Sequence, residues 1–89
     1  MMISVKILGY KTPQRYAVRR AVLAAHDALR AQFPDLQLDV IEVRQRAEME
    51  KYTPVVIYPS LMVNEKLVCV GRVPTRQEVV GWLKRAAEH

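Results

Sequence analysis

Residues 58–75 read YPSLMVNEKLVCVGRVPT, and the order of signals in this stretch decides the fold. Tyr58-Pro59 leads into a short extended apolar run, Ser60 to Val63. Asn64-Glu65-Lys66 is a turn, and Leu67 to Val70 is the return strand, ended by Gly71. Two such runs joined by a short polar turn form a hairpin. Beyond Arg72-Val73-Pro74, the tetrad Thr75-Arg76-Gln77-Glu78 is a capping box: the Thr75 hydroxyl bonds forward to a free amide and Glu78 reaches back. Val79, Trp82, Leu83 and Ala86 then recur at helical spacing. The stretch therefore reads as strand, turn, strand and a closing helix.

Upstream, Ile3 to Leu8 alternates with Ile3, Val5 and Ile7 on one side, as a strand does, and Gly9 ends it. Tyr10-Lys11-Thr12-Pro13 follows. A Thr hydroxyl can cap a helix and proline is tolerated at the first helical position, so Thr12 is expected as the N-cap with Pro13 next. Gln14 to Phe33 carries the apolar stripe Val18, Val22, Ala25, Leu29 and Phe33, lacks glycine, and is stopped by Pro34-Asp35. Leu36 to Val43 alternates again, with Leu38, Val40 and Val43 expected inward. Arg44 to Tyr52 reads as a short, polar second helix broken at Thr53-Pro54, and Val55 to Ile57 leads back to Tyr58. The chain is thus a βαβ unit with parallel strands followed by an antiparallel hairpin and a helix: an α/β fold, βαβ–α–ββα, with a four-stranded mixed sheet and helices on both faces.

Eighty-nine residues fit one domain, residues 1–89, with no repeat or linker. The longest apolar runs are four or five residues, far short of the roughly 20 that span a bilayer. The N-terminus lacks the features of a secretory signal and reads as a first strand. A single cysteine, Cys69, leaves no internal disulfide, which suits a reducing compartment. A cytoplasmic location without membrane attachment is the expectation. Fourteen Lys and Arg against nine Asp and Glu give a net charge of +5. No basic run exceeds two residues and the aromatics do not interleave with the basic residues, so the excess reads as a solvated face.

The proline–strand–turn–GRVP–helix string, together with the strand–loop–long-helix opening, resembles the small thioredoxin-like proteins known as redox-active disulfide proteins. The resemblance spans essentially the whole chain. It implies a thioredoxin-like fold and a cis peptide bond before Pro59, beside the start of the first helix. In that family the cis proline holds extended chains by backbone hydrogen bonds next to a Cys-x-x-Cys centre. With Gly9 laid on the family's first loop glycine, Thr12-Pro13-Gln14-Arg15 falls where that centre would be. Dithiol chemistry needs an acidified thiolate and a second thiol to resolve the mixed disulfide. Threonine and arginine supply neither, so no dithiol oxidoreductase activity is expected.

These readings lead to a non-catalytic binding or adaptor module with a degenerate active site, binding a protein, a peptide or a small anion. Lys11, Thr12, Arg15 and Arg72 are the expected anion-binding set, because a helix N-terminus favours negative charge and these side chains bracket it. Arg19, His26 and Arg30 would extend the basic flank. Two alternatives stay open: a thiol-dependent or glutathione-linked redox protein using Cys69, and a weak nucleic-acid binder. No cofactor is expected and no metal, since His26, His89 and Cys69 lack ligand spacing. Cys69 among valines is read as a small buried hydrophobe.

Overall fold

In a computed structural model, which describes residues 1–52 and 57–88, the central strand organises everything else. β1 (Met2–Leu8) pairs in parallel with β2 (Gln37–Val43) and antiparallel with β3 (Ser60–Val63), and β3 pairs antiparallel with β4 (Lys66–Val70). The sheet order is β2-β1-β3-β4. Three helices complete the chain: α1 (Thr12–Leu29), α2 (Arg46–Tyr52) and α3 (Arg76–Ala87). The breaker at Thr53-Pro54 and the start of the lead-in at Val55 lie outside the described residues.

Strand alternation sorts side chains between two cores. Ile3, Val5 and Ile7 of β1, with Leu61 and Val63 of β3 and Cys69 of β4, face α1 and α3 and meet Val18, Val22, Ala25, Leu29, Val79 and Leu83. Leu8, Val43, Met49 and Met62 form a second cluster on the opposite face, where α2 supplies Met49. Helices thus cover both faces. Leu38 and Val40 pack on the α1 side, but Val43 belongs to the α2 side. An odd offset from Val40 puts it across the sheet, where it is buried as well.

The long helix also begins and ends differently from the sequence reading. Its N-cap is Lys11, which makes no side-chain capping bond, and Thr12 and Pro13 lie inside the first turn. The Thr12 hydroxyl accepts a bond from the Arg15 guanidinium instead of from a backbone amide. At the other end the ladder stops at Leu29, and Gln32 and Phe33 donate back to the Leu29 carbonyl as a turn. Phe33 still packs against the first core from that turn. His26 Nε2 lies 2.8 Å from the Leu36 carbonyl oxygen, which only accepts, so the ring donates and ties α1 to the entry of β2.

The hairpin turn is two residues, Asn64 and Glu65, both with positive φ (48° and 67°). That is the conformation matching the twist of the flanking strands. Asn64 is bound into β1: its amide donates to the Ser4 carbonyl and its Oδ1 accepts from the Ser4 amide. Glu65 pairs with the buried Lys6, which also lies over the Tyr52 ring. In β4 the register shifts opposite Leu61 and Met62, leaving Val68 as an extra residue. The capping box of α3 is present in both directions, Thr75 Oγ1 accepting from the Glu78 amide and Glu78 accepting from the Thr75 amide. Because Met49 is the buried anchor of α2, Met49→Ala is expected to destabilise the domain by about 2–5 kcal/mol. A lowered urea midpoint with an unchanged slope is the measurement that checks it.

Candidate functional site

Three loops meet at one end of the sheet: Gly9 to Lys11 between β1 and α1, Ile57 to Pro59 before β3, and Gly71 to Thr75 between β4 and α3. The Gly71 amide donates to the Pro59 carbonyl at 2.8 Å, and the Tyr58–Pro59 peptide bond is cis. Gly71 has φ +75°, and a Cβ on it would stand 2.5 Å from the Ile57 Cγ2. Only glycine meets both conditions, strain and contact together. A Cβ on Gly9 would lie 3.5 Å from Arg15 Cγ and 3.8 Å from Pro59 Cα, so the Arg15 stem and Pro59 flank the same point of the backbone. The Tyr10 and Tyr58 rings meet edge to face at 5.2 Å.

Arg15 is buried, at 4% exposure. Its Nε donates to Glu42 Oε1 at 3.1 Å, its Nη1 to the carbonyls of Gly9 and Tyr10 at 3.0 Å each, and its Nη2 to Thr12 Oγ1 at 3.1 Å. The sheet register makes this possible: Glu42 pairs with Ile7 and so faces α1, one helical turn above the loop. Arg19 shares the same carboxylate through its other oxygen. Arg15 is therefore a staple inside the β1–α1 loop, with its donors turned toward the protein.

The residues of the expected anion-binding set do not converge as free donors. Arg15 points inward, and the Thr12 hydroxyl is its acceptor. Arg72 makes a two-pronged pair with Glu78, Nη1 to Oε1 at 2.8 Å and Nη2 to Oε2 at 2.6 Å. Lys11 is left exposed without these partners. Further along the flank, Arg19 is paired with Glu42, Arg30 with Asp27, and His26 with a backbone carbonyl. Pairing was invisible in the sequence because Glu42 and Glu78 lie 27 and 6 residues from their arginines. The Glu78 capping box was the one available signal, since it fixed where that carboxylate would stand.

Cys69 is buried in the first core, its Sγ 3.5 Å from the Arg72 carbonyl oxygen. Burial pushes the thiol pKa up, with Arg72 opposing it more weakly. A thiol held protonated is a poor nucleophile. Among the described residues no group of three His, Cys, Asp or Glu side chains could hold a metal ion. No helix among them is long and apolar enough to cross a membrane.

A sheet ordered β2-β1-β3-β4, a long helix after β1, and Pro59 just before β3 frame the site. A family model described as a thioredoxin domain matches residues 3–84. The chain belongs to this thioredoxin-domain family. With one cysteine, it is a member that lacks a Cys-x-x-Cys centre. Among solved structures it is similar to human ERp44 in its zinc-bound form, with a TM-score of 0.59 and 12% identity over 93% of this chain and 26% of that one. It spans about a quarter of that protein's length, and a likeness at this identity extends to the fold alone. No curated protein sequence matches it.

Two expected outcomes follow from the site's ion pairs. Arg15→Ala leaves two carbonyls, a hydroxyl and a largely buried carboxylate short of a partner, and is expected to destabilise the domain by about 3 kcal/mol. Arg15→Lys should restore little of this, because an ammonium cannot span the same fork. Chemical denaturation of the two variants is the check. Separately, the bond from Arg72 holds the Glu78 carboxyl down at about 2 from its ordinary 4.5, helped by the Thr75 amide. A depressed carboxyl stabilises the fold above its unfolded value, and that contribution is lost as pH falls from 4.5 through 2. In Arg72→Ala a carbon-detected NMR titration should find the Glu78 midpoint shifted upward.

Proposed function

We propose that this domain is a non-catalytic binding module which holds an extended peptide segment where its three loops meet. The observation that carries this reading is that each of the three meeting loops carries an exposed apolar side chain. Tyr10 is 51%, Ile57 57% and Val73 41% exposed, each on a different loop. Exposed apolar groups grouped in this way mark interaction surfaces more often than scattered ones do. The closed circuit of Arg15 bonds supports a rigid platform in place of a reactive centre, since pre-ordered loops lose less entropy on binding. The family resemblance, which lays Thr12 and Arg15 over the cysteine positions, supports the absence of dithiol chemistry. The buried Cys69 thiol argues against the lone-thiol alternative. Local pairing of Arg19, Arg30, Arg46 and Arg72 with acidic neighbours argues against a concentrated nucleic-acid stripe.

The expected outcome is no turnover in an insulin disulfide-reduction assay, with Cys69 labelled by a disulfide reagent only after denaturant is added. Unstructured peptides displayed on phage and selected against the protein should be enriched in apolar residues. Amide shifts on titrating a selected peptide should centre on Tyr10, Ile57 to Ser60 and Gly71 to Val73, and Tyr10→Asp should abolish them. Turnover in the assay, or peptide shifts elsewhere on the surface, would overturn the reading. Shifts at Lys11 to Arg15 with inorganic phosphate would favour the anion reading over it.

A further inference from the structure

A cleft of about 370 Å³ lies at the opposite end of β3 from Pro59, lined by Val63, Asn64, Lys66, Val68, Trp82, Arg85 and Ala86. Its volume falls in the lower part of the range of small-molecule sites, roughly 300–1,000 Å³. Its walls follow from two local facts. On α3, Trp82, Arg85 and Ala86 stand at i, i+3 and i+4 and so share one stripe. On the hairpin, the register shift in β4 adds Val68 between Leu67, which packs on the α2 side, and Cys69, which packs on the α1 and α3 side. The extra residue sends Val68 to the same side as Cys69, toward Trp82 and Ala86. A bulge that re-aims a side chain in this way is frequent beside binding sites. Lys66, paired across the hairpin with Val63, emerges on that same face.

The charge of the cleft has one sign. Both ionisable residues that line it, Lys66 and Arg85, are basic, and no acidic residue lines it. Neither forms an ion pair among the described residues. The Arg85 guanidinium lies back along α3, its Nη2 3.7 Å from the place a Cβ on Gly81 would take. The lining is otherwise apolar apart from Asn64, and Asn64 is committed to Ser4 of β1. A second copy of the chain offers the same two cations to this face and would meet them with like charge.

We propose that this cleft binds a small amphipathic monocarboxylate, its hydrocarbon or aryl body against Val68, Trp82 and Ala86 and its carboxylate between Lys66 and Arg85. The site is distinct from the loop surface at Pro59 and stands or falls independently of it. The apolar walls select for a body that a simple ion lacks, and the two cations select for the acid over an amine of the same length.

Octanoate is a suitable probe, with acetate, octylamine and octanol as comparators. Trp82 is the chain's only tryptophan, so its fluorescence reports the cleft directly. Octanoate should change the Trp82 emission saturably, and amide shifts should centre on Val63 to Val68 and Trp82 to Ala86. Acetate and octanol should each bind at least tenfold more weakly, and octylamine should leave the signal unchanged. Arg85→Gln and Lys66→Gln remove the charge at two exposed positions while keeping a polar side chain with part of each stem, and circular dichroism checks that the fold is retained. Together they should weaken octanoate about tenfold and flatten its dependence on salt. Equal binding of octylamine, unchanged affinity in the double variant, or shifts centred on Tyr10 and Pro59 would each overturn the proposal. A concentration-dependent dimer that protects Trp82 would overturn it in favour of a second copy.

Discussion

Taking a guanidinium out of water is costly, and the domain does this with Arg15 at the point where its first strand hands over to its longest helix. The cost is offset because four donor groups find acceptors on four different partners: two loop carbonyls, a helix hydroxyl and a strand carboxylate. Each partner belongs to a piece of chain that would otherwise be free to shift against the others. The bonds to Gly9 and Tyr10 shape the loop, the bond to Thr12 holds the first turn of α1, and the bond to Glu42 locks both to β2. Because β1 is the strand on which β2 and β3 pair, anything that fixes its exit also fixes the sheet end.

The same logic explains why the surface where the three loops meet is built from backbone and apolar side chains. Pro59 and Gly71 hold each other through a main-chain bond, and Ile57 packs where a Gly71 side chain would be. Tyr58 turns its ring onto Tyr10, and its hydroxyl is buried without a hydrogen-bond partner among the described residues. Burial accordingly raises the Tyr58 pKa. With Arg15 and Arg72 committed to structure, the apolar groups facing outward are Tyr10, Ile57 and Val73, beside the exposed Lys11. Glu42 and Glu78 absorb Arg15, Arg19 and Arg72.

How much of this was legible in the sequence depended on distance along the chain. Thr75 and Glu78 are three residues apart, and their capping box is present as read. The hairpin, with its turn at Asn64, and the stripe from Val18 to Leu29 were equally local and equally clear. Thr12 was misread as a cap because the signal is a residue type, whereas the outcome depends on which donor reaches the hydroxyl first. That donor is Arg15, pulled inward by a carboxylate 27 residues away. Val43 is buried as read, but on the α2 side, because helices cover both faces of the sheet and parity then sends it to the second core. The pairing of Arg15 and Arg72 was hidden for a similar reason: sequence lists charges, and only the fold pairs them.

The extra residue in β4 has a meaning for the molecule in a crowded solution. β4 is an outer strand of the sheet, and an outer strand offers a row of unpaired amides and carbonyls to any other extended chain. A regular, flat edge would template growth from one molecule to the next. Here the register breaks at Val68, two residues after the turn-flanking Lys66. An incoming strand could align with one half of β4 or the other, but not with both at once. The irregularity that shapes the cleft on one side of the sheet therefore also keeps its rim from recruiting neighbours into a continuous ribbon.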